Sequence, residues 1–157
     1  MVKYSSEGLG SVKVLGMALI HPFFGNKKPD RVWEYICPDS TGLDDPRLNP
    51  AAHPGLLAKL GKIKVLICIA EKDHLRDRGW GYYEGLKKSG WGGEVEIVET
   101  EEEDHVFHLF NPKCEKARVL MKLVASFLNE NKVDGSIVTM KQPVGSSVNK
   151  SNAASFF

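Results

Sequence analysis

The stretch Ile63 to Ala70, IKVLICIA, constrains this chain more than any other. Apart from Lys64 it is apolar without alternation, so a strand built from it must be covered on both faces. Such strands belong inside a parallel sheet with helices on either side. Val12 to Ile20, VKVLGMALI, reads the same way and stops at His21-Pro22. Glu94 to Glu99, EVEIVE, alternates and is rich in Val and Ile, which predicts a third strand nearer an edge.

Helical signals fall between these runs. Asp30 to Ile36 predicts a short helix closed before Pro38, and Pro54 to Leu60 another ended by Gly61. Asp77 to Ser89 predicts a longer one stopped by Gly90, despite the internal Gly79 and Gly81. The most regular pattern runs from Pro112 to Glu130, with Asn111 as cap and Pro112 in the first turn. Its apolar face is Cys114, Ala117, Leu120, Met121, Val124, Phe127 and Leu128. The alternation of strand and helix predicts an α/β fold with a mostly parallel sheet flanked by helices. Three strands are few for such a fold, and two of them need neighbours at both edges, so elements on the N-terminal side are expected to be missing. Residues 131–157 are rich in Ser, Asn, Lys and Gly without periodicity and read as a disordered tail. The expected division is a truncated N-terminal segment 1–11, a partial α/β domain 12–130 and the tail.

Composition narrows the function. A net charge of +1 over 157 residues gives no footprint for nucleic acid. No apolar stretch approaches the roughly 18 to 20 residues needed to span a bilayer, and Met1 to Gly10 has no apolar core of a signal peptide. Cys37, Cys68 and Cys114 are odd in number and far apart, which reads as reduced cysteines in a cytoplasmic protein.

Side chains able to do chemistry cluster just past two of the strands, where open α/β sheets place their functional groups. Asp73 lies in Glu71-Lys72-Asp73-His74, three residues beyond the second apolar run. His105 follows the third strand and the acidic run Glu101 to Asp104. Two loops at one sheet edge, one offering Asp and the next His, can join those side chains. A carboxylate on one ring nitrogen fixes the imidazole tautomer and stabilises the imidazolium formed when His takes a proton. The plain alternative for Asp73 is a loop carboxylate that caps Leu75 or Arg76, or pairs with Arg76 or Arg78. Asp77 sits where a helix cap belongs and is assigned a structural role. His108 is the rival base. A metal site from His105 and His108 lacks a third ligand at suitable spacing, so no metal is expected.

The segments HPFFG, LDDPRLNP, VLICIAEKDHLRDRGWGYYEGLKKSGW and EEEDHVFHLFNP resemble the C-terminal half of plant carboxylesterases, in the hormone-sensitive-lipase-like branch of the α/β hydrolases. The resemblance covers Gly10 to Glu130, and the order Asp then His matches the family's nucleophile, acid, His. It implies that Asp73 is the triad acid and His105 the triad base, that Val106 lines the acyl or alcohol pocket, that the substrate is a small hydrophobic ester, and that no cofactor takes part. The HGGG-type oxyanion loop and the G-x-S-x-G elbow are not in the sequence. Gly135-Ser136 and Gly145-Ser146-Ser147 lack the glycine spacing. The opening LGSVKVLG resembles the family's sequence after its nucleophile helix, so the chain is expected to begin inside the fold and to be inactive alone. Two relatives share the scaffold. Gibberellin receptors bind a small ligand and lack the triad His, while 2-hydroxyisoflavanone dehydratases keep the triad positions and eliminate water. The aromatic set Phe23, Phe24, Trp80, Tyr82, Tyr83 and Trp91 reads as packing, and Asp44-Asp45-Pro46 as a turn.

Overall fold

Val65, Ile67 and Ile69 point to one face of a strand and Leu66, Cys68 and Ala70 to the other, and both sets are buried. This is the centre of the protein, as described by a computed structural model over residues 14–25 and 31–130. The sheet holds three parallel strands, β1 (Gly16–Ile20), β2 (Lys64–Ala70) and β3 (Glu94–Thr100), in the order β1-β2-β3. Ile20 pairs with Cys68, which pairs with Val98, so the carboxyl ends of all three strands face one edge.

The described residues also hold five α-helices, α1 (Arg31–Ile36), α2 (Pro54–Leu57), α3 (Arg76–Lys88), α4 (Phe107–Phe110) and α5 (Glu115–Asn129), and two short 3-10 turns, Gly42–Asp44 and Pro50–Ala52. The odd-numbered face of β2 packs with Leu57, Tyr82, Leu86 and Trp91, from α2, α3 and the turn before β3. The even-numbered face packs with Phe107, Ala117, Leu120 and Val124, from α4 and α5. One strand thus serves two cores, as its unbroken apolar run requires. Gly79 lets α3 approach closely, since a Cβ there would lie 2.5 Å from Ile69 Cγ2. A glycine inside a helix costs about 1 kcal/mol relative to alanine, and here the close contact requires it.

Several expectations need correction. Among the described residues β1 is half-buried along its whole length and lies at an edge of the sheet, whereas β2 is enclosed on both faces. The final helix begins at Glu115, not Pro112. Asn111 instead ends α4, its N–H donating to Phe107 O at 2.8 Å, and Cys114 caps α5 by accepting from Ala117 N at 3.4 Å. A local turn after β3 takes up the chain that periodicity had assigned to the helix. Met121 and Leu128 are exposed, so the buried stripe of α5 is narrower than the sequence pattern. Helix α2 is a single turn. Asp77 caps nothing: Leu75 holds the cap position, and the Asp77 carboxylate is exposed in the first turn beside Arg76. The N-terminal segment, the tail and its serines lie outside the described residues.

Asp45 is more than part of a turn. Its buried carboxylate accepts from Arg47 Nη2 at 2.6 Å, from Arg47 N at 2.9 Å and from Ser40 Oγ at 2.8 Å. The Arg47 hydrogen bonds hold its pKa far below the usual carboxylate range, against the opposing effect of burial.

Candidate active site

The loops after β2 and β3 are sewn together beyond the sheet edge. Glu71 N donates to Thr100 O at 3.0 Å, Lys72 N to Glu103 O at 2.9 Å, and Glu102 N to Glu71 Oε2 at 2.7 Å. These bonds extend the strand pairing by a few residues and fix the distance between the two loops.

Asp73 is buried at this junction. His105 Nδ1 lies 2.8 Å from its Oδ2, and Leu75 N donates to its Oδ1 at 2.8 Å. Asp73 thus both faces the His105 imidazole and turns the chain into α3. Burial alone would raise its pKa. Hydrogen bonds from His105, the Leu75 N–H and His21 outweigh burial and leave the carboxyl below its ordinary 3.8. With a proton on Nδ1 facing the carboxylate, His105 keeps a bare Nε2, and its side chain is one-third exposed. That arrangement can accept a proton from a nucleophile placed beside it.

His21 was seen in the sequence only as the end of a strand. Its fully buried ring directs Nδ1 at the same Asp73 Oδ2, 3.1 Å away. Its backbone N donates to Cys68 O, continuing the β1–β2 pairing by one residue. Burial lowers the pKa of His21 below 6.5, against the pull of Asp73. Its position one step past an apolar run, level with the loop that holds Asp73, was the available signal. His108 does not touch Asp73. Its ring lies 5.4 Å from that of His21, and burial, with the two neighbouring histidines, lowers its pKa.

His21, Asp73 and His105 bring three possible metal ligands within 4.8 Å of one another. The N–O separations are those of hydrogen bonds, and Val106 N points its hydrogen at His21 Nδ1 from 3.3 Å. A donor aimed at the ligand nitrogen disfavours a cation there, so the cluster fits proton sharing better than metal binding.

Val106 and His21 are both non-glycine residues with left-handed backbone, φ 47° and 48°. At Val106 this bend starts α4 and turns its N–H inward. An open groove of about 400 Å³ runs between α3 and the 3-10 turn Pro50–Ala52, lined by Phe24, Asn49, Pro50, His74, Arg78 and Tyr82. Phe24 stacks on Tyr82, and the His74 ring stands 5.5 Å from that of His105, which puts the groove beside the site. Val106 is not among the groove's lining residues. Trp80 and Trp91 pack and donate to Glu99 Oε2 and Gly61 O.

Residues 13–109 match the family model for the alpha/beta hydrolase fold. "Probable carboxylesterase 2" of Arabidopsis thaliana is 42% identical, over 76% of this chain and 43% of that protein. The 2-hydroxyisoflavanone dehydratase of Glycyrrhiza echinata is 45% identical, over 81% of this chain and 44% of that protein. Among solved structures, a hyperthermophilic esterase from the archaeon Pyrobaculum calidifontis superposes with a TM-score of 0.56 at 25% identity, covering 77% of this chain and 45% of that one. The chain thus spans less than half the length of these relatives. It belongs to the α/β-hydrolase-fold family.

Proposed function

We propose that Asp73 and His105 are the acid and base of a serine-hydrolase triad that cleaves small hydrophobic carboxylic esters. A serine from outside these 157 residues attacks the ester carbonyl. His105 Nε2 takes the serine proton and then delivers it to the leaving alcohol, while Asp73 holds the ring and stabilises the imidazolium. The observation that carries this reading is the 2.8 Å contact between Asp73 Oδ2 and His105 Nδ1 at a buried carboxylate. Val106, next to the base, forms a wall of the acyl or alcohol pocket, and the free cysteines accord with a cytoplasmic protein. No cofactor enters the chemistry.

The chain alone has no G-x-S-x-G elbow, and loss of the nucleophile costs about 10⁶ in kcat. It is therefore expected to leave p-nitrophenyl acetate unhydrolysed. Mixing it with the serine-bearing N-terminal part of an Arabidopsis carboxylesterase should restore turnover that His105→Ala removes. Turnover by the chain alone, or restored turnover indifferent to His105→Ala, would refute the proposal. The 45% identity to a 2-hydroxyisoflavanone dehydratase favours a second reading, in which the same pair assists loss of water. Dehydration of 2-hydroxyisoflavanone by the mixed halves, without ester turnover, would select it.

A further inference from the structure

Asp73 Oδ2 faces two imidazole nitrogens, and a triad needs only one of them. His21 Nδ1 stands between that oxygen at 3.1 Å and the N–H of Val106 at 3.3 Å. It cannot donate to the first and accept from the second, so one tautomer must prevail.

Two arguments choose it. With the proton on Nε2, a bare Nδ1 would face a carboxylate oxygen in a buried site, lone pair against lone pair, where low polarity amplifies the repulsion. The same tautomer would bury an N–H at Nε2, which has no hydrogen-bond partner among the described residues. Orphaned buried donors are rarer than under-satisfied acceptors. With the proton on Nδ1, the carboxylate gains a donor and the orphan at Nε2 is only a lone pair. The unmet group is then the Val106 N–H, the longer of the two contacts and on a half-buried residue, whereas an N–H on Nε2 would sit in a fully buried ring.

We propose that His21 is a positioning residue: as its Nδ1–H tautomer it donates to Asp73 Oδ2 and fixes the carboxylate so that the same oxygen stays on His105. The inference rests on the triad reading of Asp73 and His105. Rotation of a carboxylate about its terminal bond is soft, and Leu75 N restrains only Oδ1. His21 restrains Oδ2 from a side chain that is itself immobile in the core.

The test is the tautomeric state of each histidine, read from ¹⁵N-edited long-range spectra of the full chain. His21 and His105 should both carry their proton on Nδ1. In His21→Phe, the His105 Nδ1–H should exchange about tenfold faster as its acceptor is loosened, and His105 should sample both tautomers. His21→Asn, which keeps a donor near the Nδ1 position, should restore both properties. An Nε2–H tautomer for His21, or a His21 ring with free-solution shifts, would overturn the proposal. So would an unchanged His105 in a folded His21→Phe variant. Should that variant fail to fold, the wild-type tautomer and His21→Asn decide. Ester turnover is not part of this readout: inactive mixed halves with the stated tautomers would remove the hydrolase reading and leave the positioning contact standing.

Discussion

The rings of His21 and His105 stand nearly perpendicular, 82° apart with centroids separated by 5.6 Å, because both aim Nδ1 at one oxygen of Asp73. The two histidines lie 84 positions apart in sequence, one after β1 and one after β3. Only the adjacency of three parallel strands brings them together. The centre of the site is thus a carboxylate on the middle strand's loop, addressed from both sides.

Replacing Asp73 by Asn should expose that dependence. An amide can still accept from Leu75 N, but its NH₂ group would face two Nδ1–H donors. The stability loss should be about 1–3 kcal/mol, measurable by urea denaturation. In the mixed halves kcat should fall about 10⁴-fold, since the wrong tautomer of His105 is then favoured. A neutral effect on both would mean that neither histidine donates to Asp73.

Acid should weaken the fold in two stages. His21 and His108 are depressed below 6.5, so the folded state binds fewer protons there than the unfolded chain. Their stabilising contribution is present above pH 6.5 and is lost as pH falls through the folded pKa. Asp45 and Asp73 are depressed below 3.8, so theirs is present above the unfolded carboxylate pKa and disappears at lower pH. Urea midpoints measured from pH 8 downward should decline first near pH 6 and again below about pH 4. In His21→Phe the first decline should shrink.

Two of the three internal glycines of α3, Gly79 and Gly81, should respond oppositely to alanine. At Gly79 the new methyl meets Ile69 at 2.5 Å, and the overpacking should cost about 1–3 kcal/mol. At Gly81 nothing lies within 4 Å, so alanine should stabilise the helix by up to about 1 kcal/mol. Thermal melts of the two single variants check both signs.

Cysteine labelling should separate Cys68 from the others. It is fully buried in β2, and burial pushes its thiol up to about 12. A thiol-specific reagent should modify the half-exposed Cys37 and Cys114 in the native protein and reach Cys68 only on unfolding. Native labelling of Cys68 would mean that the sheet opens.

The parts of this fold legible in sequence were those with local signals. IKVLICIA announced a strand covered on both faces, and Gly90 at φ 74° marked the end of α3 as expected. Asp73 and His105 were readable because each follows a strand in a parallel sheet, where loops converge. Other features depended on tertiary context. The cap of α5 moved to Cys114 because the one-turn helix α4 and its closing residue Asn111 occupy the preceding chain, and no periodicity argument registers a four-residue helix. Asp45 looked like turn chemistry, since its ties to Ser40 and Arg47 give no spacing signal distinct from an ordinary loop. His21 was hidden for the same reason: a histidine beside a proline at a strand end is commonplace until the neighbouring loop is in place.

Val106 illustrates a conflict between two kinds of selection. A β-branched residue at φ 47° is held in a conformation that glycine adopts freely. A library at this position sorted only for thermal survival should drift toward glycine or asparagine. If Val106 walls the substrate pocket as proposed, one sorted for turnover in the joined halves should instead retain side chains that keep the bend and that wall together. Under the proposed function, this position is where durability and chemistry draw the sequence in different directions.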